Sequence, residues 1–282
     1  MAISYNQLGS NGRLGNQMFQ YAALRGIAAN RGFDWVIPPS NIQSTCDYGL
    51  FNCFKMISVS DKNFGFLSEV ESIVWEDTNF NKDLFNKCPD NINLHGYFQS
   101  EKYFKHIEDI IRKDFEFQDS IMESCLEIIE DVGKSIFLHI RRGDYVKSQQ
   151  FHPLLSEQYY TEALSKFDSN IPVFVFSDDL EWCRNQKMFN SDRFFLSEEN
   201  IKSPNKVRGI DGSYEQSLLP YWDLCLMSLC SGAIIANSSM SWWGAWLINN
   251  PSKTIVAPKK WFGESNSHLD TNDIIPIIWE KI

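Results

Sequence analysis

Near the middle of the chain, an apolar run leads directly into a cluster of ionisable side chains. The run begins at Ser135 and is rich in Ile, Phe and Leu, which predicts a buried strand of a parallel sheet. It ends in His139, Arg141, Arg142 and Asp144, groups that are costly to bury unpaired. Ligands of open α/β sheets bind beyond the carboxyl ends of strands, and a guanidinium can donate two parallel hydrogen bonds to a phosphate. The segment therefore predicts either a phosphate site or an Arg–Asp ion pair that closes a surface loop.

A second predicted strand, Val173–Phe176, also ends in acidic residues. Asp179 is predicted to cap the helix that follows, because a carboxylate at that position accepts from backbone N–H groups. Asp178 lies at the carboxyl end of the strand. Two roles are open for it: accepting hydrogen bonds from a ligand, or bonding within its own turn.

A third predicted strand, Ala233–Ala236, precedes a serine cluster at the start of a helix. The cluster contains Ser238, Ser239 and Ser241. Backbone N–H groups at a helix start, together with hydroxyl groups, suit an anion. The alternative is ordinary N-capping, for which one serine is enough.

A glycine-rich turn connects the first predicted strand, Ile3–Leu8, to a helix that ends near Gly32. The helix begins next to Arg13, Gly15, Asn16 and Gln17. Such a turn lets the backbone approach a ligand at a helix start. Its spacing is Gly-x-x-Gly-x-x-Gly, which matches neither the dinucleotide fingerprint nor a P-loop and disfavours an NAD-dependent oxidoreductase. A simple tight turn is the alternative.

Composition restricts the class of protein. The chain has 282 residues, a net charge of −10 and 43% hydrophobic residues, so it can form one large domain or two, and nucleic acid is not expected as a partner. No Cys-x-x-Cys pair is present and the number of cysteines is odd, which predicts reduced thiols in a cytoplasmic protein and no zinc site. Neither a secretory signal nor a membrane span is expected. The seven cysteines are Cys46, Cys53, Cys88, Cys125, Cys183, Cys225 and Cys230.

Strands alternate with helices in both halves of the chain, which predicts parallel α/β architecture. A strand is expected at Leu94–Gln99 and a helix from Ser100 through Phe115, whereas the segment from Pro38 to Pro89 gives an irregular pattern. We predict a domain boundary in 119–134 and take the domains as 1–130 and 131–282.

Five ordered motifs together resemble the bacterial α-1,2-fucosyltransferases, glycosyltransferase family 11. The resemblance covers nearly the whole chain. The motifs are Gly12–Gln17, Gly96–Phe104, His139–Tyr145, Phe176–Asp179 and Asn237–Trp243.

The resemblance implies a GT-B fold, with two Rossmann-like domains that face a cleft. It implies inverting transfer of L-fucose from GDP-L-fucose, held by the C-terminal domain, to the 2-hydroxyl of a galactoside held by the N-terminal domain. The acceptor would be a galactose-terminated oligosaccharide or glycolipid, and no cofactor is needed besides the donor substrate. A cytoplasmic enzyme that docks on a membrane to reach a lipid-linked acceptor is one form of this hypothesis.

The resemblance also implies roles for individual residues. Arg141 should hold the donor pyrophosphate with support from Arg142 and His139, and Asp178 should face the guanine or ribose. The serines at 238, 239 and 241 should bind the phosphates. Asn16 should lie beside the reacting sugar, in a substrate-binding loop shared with the residues at 13, 15 and 17.

Two further roles to assign are a general base for the acceptor hydroxyl and a positive group for the leaving phosphate. Asp144 is our candidate for deprotonating the acceptor, and the alternative is that it orients Arg142 or His139. Related α-1,6-fucosyltransferases carry a glutamate ten residues after the histidine, where this chain has Gln149. The chain has no Asp-x-Asp motif, so Arg141 and the serine-rich helix start are expected to replace a metal.

Two other hypotheses stay open. One is a GT-B transferase that uses another nucleotide sugar, such as a UDP-sugar, or that forms another linkage. The other is an adhesion module, because residues 142–144 spell Arg-Gly-Asp. The second is disfavoured because the tripeptide directly follows a predicted buried strand.

Overall fold

The computed structural model describes residues 1–42, 48–196 and 219–282. The chain forms two compact units: Met1–Gln118 with His268–Pro276, and Asp119–Ser267 with Ile277–Ile282. The sequence-based boundary at 130/131 therefore falls inside the second unit, and a short segment near the end of the chain returns to the first unit.

The first unit contains a parallel sheet with strand order β2-β1-β4-β3. Helix α1 is buried along most of its length. It ends at Gly32, whose left-handed backbone (φ 66°) returns its N–H to the carbonyls of Ala28 and Ala29. The elements of this unit are β1 (Ala2–Ser4), α1 (Leu14–Arg31), β2 (Asp34–Val36), α2 (Leu50–Cys53), β3 (Glu71–Trp75), α3 (Lys82–Lys87), β4 (Ile92–Gly96) and α4 (Glu108–Asp114).

The continuous helix predicted from Ser100 to Phe115 is wrong. Two 3-10 turns, Glu101–Tyr103 and Lys105–Ile107, precede the short helix α4. Packing decides this path, because the backbone carbonyl of Tyr103 presses against Gly26 of α1, where a Cβ would lie 1.8 Å away. The segment predicted to be irregular contains β3, α2 and α3, whose short runs give weak sequence patterns.

The second unit contains an all-parallel sheet with strand order β10-β9-β8-β5-β6-β7. Its elements are α5 (Asp119–Val132), β5 (Ile136–Ile140), α6 (Glu157–Leu164), β6 (Val173–Ser177), α7 (Leu180–Arg184), β7 (Phe194–Leu196), α8 (Leu219–Leu229), β8 (Gly232–Ile234), α9 (Ser239–Leu247), β9 (Thr254–Ala257) and β10 (Glu280–Lys281). Strand β5 is buried at all five residues, as the sequence predicts. Its neighbours are β8 and β6, so the carboxyl ends of three strands meet at one edge.

Helix caps and apolar packing hold this sheet in place. Ser156 caps α6 by accepting from the backbone N–H of Tyr159, and Asp179 caps α7 in the same way from Trp182. The cap at Asp179 is predicted by the sequence. Apolar residues of α6 and α7 pack against β5 and β6 to form one core cluster, and α8 packs against both α5 and α9.

Six of the seven cysteines lie in the described part of the chain, where all six are buried. Cys46 lies outside the described residues. Across the ranges that the structure describes, every helix is too short or too polar to cross a bilayer.

Candidate functional site

Arg141 and Asp178 meet at the carboxyl edge of the second sheet. The register of β5 and β6 aligns Ile140 with Ser177, so the next residue of each strand lies beside the other. One guanidinium nitrogen of Arg141 (Nη1) donates to Asp178, and the other (Nη2) donates to Asp144. Arg141 is thus held in a fixed direction by two carboxylates, and its side chain is 17% exposed.

Arg142 has different partners from its neighbour. Its Nε donates to Asp179 at 2.9 Å, and its guanidinium lies 4.2 Å from the centre of the Trp182 ring. Asp179 also caps α7, so Arg142 ties the loop to that helix. The suggestion that Asp144 orients Arg142 or His139 is not what the structure shows, because Asp144 pairs with Arg141.

Both carboxylate oxygens of Asp178 accept hydrogen bonds from the loop that follows β5. One accepts from Arg141, and the other accepts from the backbone N–H of Arg142 at 2.8 Å. Gly143 makes this approach possible, since a Cβ there would lie 2.3 Å from an oxygen of Asp178. Both donors belong to the loop that follows β5, so the bonding within its own turn that was predicted as one alternative is not what the structure shows; these bonds shape the loop that carries Arg141.

His139 lies at the end of β5, is 7% exposed, and has no partner for its Nδ1 among the described residues. Burial, together with the positive charge of Arg141, lowers the pKa of its imidazole from 6.5 to about 3. The ring is therefore neutral at ordinary pH. It adds no positive charge to the site, but it supplies a polar group to an apolar strand end.

Tyr145 connects Arg141 to the turn between β8 and α9. Its ring lies 5.0 Å from the Arg141 guanidinium, and its hydroxyl donates to the carbonyl of Asn237 at 3.1 Å. The His152 ring stacks on the Tyr145 ring, with ring centres 4.6 Å apart and an interplanar angle of 15°. Tyr145 belongs to one of the five sequence motifs, but the sequence does not predict this contact because its partner lies 92 residues away.

Asn237 fixes the same turn through its side chain. Its side-chain Nδ2 donates to the carbonyls of Pro153 and Trp261, both at 3.1 Å. Its Oδ1 is buried and has no partner among the described residues. The residue opens the last of the five motifs, where the sequence assigns it no role, and the structure gives it one as an anchor of the turn.

The serine cluster starts α9 as predicted, but its members differ. Ser238 occupies the N-cap position, and its side chain makes no capping bond. Ser241 is fully buried, and its hydroxyl donates to the carbonyls of Ala236 and Ser238. Ser238 and Ser239 are half-buried, so their hydroxyl groups and the first backbone N–H groups of α9 are the parts that suit an anion. Simple N-capping does not account for Ser238.

The first unit carries the other predicted residues on its glycine turn. Arg13 is exposed at the N-cap of α1, and Gly15 is buried in the first helical turn. Asn16 is half-buried, and its Oδ1 accepts from Gln99 at 3.0 Å. Gln17 is fully buried; it donates to the carbonyl of Gly12 and accepts from the backbone N–H of Gly49. Gln17 therefore fixes the shape of the turn from inside.

Taken chemically, the second unit offers oriented N–H and O–H donors at one sheet edge. Arg141, the start of α9 and the connecting Tyr145 form a group that can bind a phosphate-like anion. Among residues 1–42, 48–196 and 219–282, no group of three or more His, Cys, Asp or Glu side chains is placed to hold a metal ion.

Comparison with known proteins places these features in a family. The chain matches the family model for Glycosyl transferase family 11 over residues 2–282. It is 28% identical over 299 residues to an alpha-1,2-colitosyltransferase of Escherichia coli, covering 96% of each chain. It is 26% identical over 257 residues to galactoside 2-alpha-L-fucosyltransferase SEC1 of Bos taurus, covering 85% of this chain and 63% of that protein.

A solved structure, POFUT1 in complex with GDP, superimposes with a TM-score of 0.51 at 13% identity, covering 91% of this chain and 97% of that one. At this identity the likeness concerns the fold alone, and with the two parallel sheets it confirms the GT-B class predicted from the sequence. Because the family match spans nearly every residue, the chain belongs to glycosyltransferase family 11.

Proposed function

We propose that this glycosyltransferase transfers L-fucose from GDP-L-fucose to the 2-hydroxyl of a galactoside, with inversion at the anomeric carbon. The observation that carries the proposal is the linked pair of anion-binding elements. Arg141 and the start of α9 are both tied to Tyr145, so their donors are held ready for one pyrophosphate. Orientation before the reaction is what makes such donors effective.

The leaving group sets the main chemical demand. When GDP departs, negative charge grows on its β-phosphate while positive charge grows on the fucose ring. Arg141, Ser238 and Ser239 are assigned to the phosphate oxygens, together with the first N–H groups of α9. Because these groups are aligned in advance, their stabilisation increases as charge develops.

Asp144 is assigned two successive partners. Its side chain is 61% exposed, whereas the Arg141 side chain that it contacts is only 17% exposed. A phosphate oxygen can therefore take its place on Nη2 without moving Arg141. The released carboxylate is then free to accept the proton of the acceptor hydroxyl.

The remaining predicted residues position Arg141 or take part in binding the sugar. Neutral His139 supports the Arg141 loop, Asp178 directs Arg141, and Arg142 fixes the loop to α7. In the first unit, Asn16 is assigned a place beside the reacting sugar, and exposed Arg13 is assigned to substrate binding. The buried residues at 15 and 17 hold the turn that presents them.

Colitose is a second candidate for the transferred sugar, because the relative matched over 96% of both chains is an alpha-1,2-colitosyltransferase. Colitose is the 3-deoxy analogue of L-fucose, so its GDP-linked form presents the same pyrophosphate to Arg141. The two donors differ only in the hydroxyl at carbon 3. The SEC1 relative, named as a galactoside 2-alpha-L-fucosyltransferase, supports fucose.

The test combines binding with product analysis. GDP should raise the melting temperature by linkage, and UDP and NAD should not. The enzyme is then supplied with GDP-fucose or GDP-colitose and a panel of galactosides, and the linkage of the product is determined by NMR. Equal stabilisation by UDP would remove the GDP assignment, and faster turnover of GDP-colitose would change the donor to colitose.

We place the reaction in the cytoplasm, in keeping with the buried cysteines of the described residues and the absence of a Cys-x-x-Cys pair from the sequence. A lipid-linked galactoside would bring the enzyme to a membrane surface as a peripheral protein. Sedimentation with vesicles that carry such a lipid-linked acceptor, compared with vesicles that lack it, tests this placement. Equal sedimentation with both would contradict recruitment by the acceptor.

A further inference from the structure

The end of β4 makes an unusual turn in the first unit. Gly96 has φ 148° and Phe98 has φ 51°, so two nearly adjacent residues adopt conformations that ordinary side chains rarely take. A Cβ at position 96 would lie 2.3 Å from the backbone carbonyl of Trp75. Strain of this kind persists only where surrounding contacts hold it, and it is concentrated at functional sites.

The turn separates two neighbouring aromatic rings. Phe98 is completely buried and packs edge-on against Tyr5 and Tyr103, with ring centres 6.4 Å and 5.5 Å apart. Tyr97 points the other way and is 40% exposed. Its hydroxyl donates to Asn11 of the glycine turn at 3.4 Å. An exposed ring is therefore held on a rigid support beside that turn.

Gln99 carries an unused acceptor in the same place. The residue is 7% exposed, and its Nε2 donates to Oδ1 of Asn16 at 3.0 Å. Its other amide atom, Oε1, is buried and has no partner among the described residues. A buried carbonyl oxygen without a donor is costly, and a ligand that brings a hydroxyl or N–H group can satisfy it.

We propose that Tyr97 and Gln99, together with Asn16, form a subsite for the acceptor sugar. The C–H face of a galactose ring stacks on Tyr97, and a sugar hydroxyl donates to Oε1 of Gln99. The side chains of the subsite are one aromatic ring and two amides, a set that suits a neutral polyhydroxylated ring rather than a phosphate. The identity of the sugar rests on the proposed function; the subsite itself rests on the turn.

The main test is a pair of substitutions at one exposed position. Tyr97→Leu should raise the KM for the galactoside about tenfold, since stacking on an aromatic ring contributes on the order of a tenfold change in affinity. Tyr97→Phe keeps the ring and should stay within about threefold of the parent. The KM for GDP-fucose should not change in either variant. Phe66→Leu, at another exposed aromatic residue of the same unit, is the matched control and should leave the galactoside KM unchanged.

A second measurement identifies the atom that Gln99 binds. Single-deoxy galactosides are compared with the parent sugar in the unaltered enzyme and in Gln99→Met. One hydroxyl should lose its importance in the variant, so that the two changes are not additive. Full additivity for every hydroxyl would overturn the role of Oε1.

Saturation-transfer NMR of methyl β-D-galactoside with the GDP-bound protein tests the acceptor subsite separately from the proposed fucosyl transfer. Loss of the sugar signal in Tyr97→Leu, but not in Phe66→Leu, supports the subsite even if fucose is not the transferred sugar. If the enzyme transfers fucose to galactosides and Tyr97→Leu leaves their KM unchanged, the subsite is wrong and the proposed function stands.

Discussion

Replacing Arg141 by lysine separates a guanidinium that acts on the leaving group from one that only closes a loop. The arginine reaches Asp178 and Asp144 through two different nitrogens. Lysine keeps the charge but has a single nitrogen, so it cannot reproduce the two directed bonds. The substitution therefore removes geometry and leaves the net charge of the site unchanged.

The structure fixes the size of the effect on stability. The three side chains in this ion-pair group are 17%, 27% and 61% exposed, and solvent-screened pairs of this kind contribute about 0.2–1 kcal/mol each. The loss should therefore be about 1 kcal/mol, or about 2–4 °C in Tm for a protein of this size. Loss of a preorganised donor at the leaving group instead costs about 10²–10³ in kcat.

The assay measures kcat and KM from GDP release, GDP affinity by calorimetry, and Tm in parallel. For Arg141→Lys we expect weaker GDP binding, a loss of at least about a hundredfold in kcat, and a small fall in Tm. Arg142→Lys is the matched control, because its guanidinium lies on Trp182 and pairs with the residue that caps α7. That variant should lose more stability and less activity than Arg141→Lys.

Two outcomes for the lysine variants would contradict the proposed role of Arg141. A folded Arg141→Lys enzyme that turns over within a few-fold of the parent would refute the leaving-group role. The same conclusion follows if both lysine variants lose kcat only in proportion to their loss of folded protein. The search for the phosphate-binding cation would then move to Arg13.

Other predictions follow from the same loop. Asp144→Asn removes a carboxylate that competes with phosphate for Arg141, so GDP should bind about two- to fivefold more tightly, while kcat falls if Asp144 is the base; weaker GDP binding in calorimetry would contradict the exchange of partners. Tyr145→Phe keeps the ring but loses the hydrogen bond to Asn237, so kcat should fall while Tm changes little. An unchanged kcat would show that this hydrogen bond is dispensable for catalysis. The pKa of His139 is about 3 in the folded protein against an ordinary value of 6.5, so the unfolded chain binds more protons between these values, and the free energy of unfolding should fall by about 1.4 kcal/mol per pH unit as pH drops through this range. Denaturation curves of His139→Gln should lose that part of the slope, and an equal slope would refute it. Activity should persist in excess EDTA, and a loss that Mg²⁺ or Mn²⁺ restores would contradict the assignment of phosphate charge to Arg141.

The pattern of apolar runs was enough to predict the framework of the second unit. Strands β5, β6 and β9 appear where Ile, Val and Phe cluster, because a strand covered on both faces must be apolar throughout. The cap at Asp179 was also predictable, since capping depends on one residue type at one local position. The first unit was harder to predict, because β3 and the 3-10 turns after Ser100 depend on what packs against them.

The sequence also identified the residues at the sheet edge, since strand ends and polar types are local properties. It could not assign their partners. That Asp144 pairs with Arg141, while Arg142 turns to Asp179, depends on side-chain directions within one tight loop. The contact of Tyr145 with Asn237 joins residues 92 positions apart, and no local pattern encodes it. The sequence alone determined which chemical groups are present and on which strands they end; only the tertiary structure decided which of them touch, because register and packing bring distant residues together.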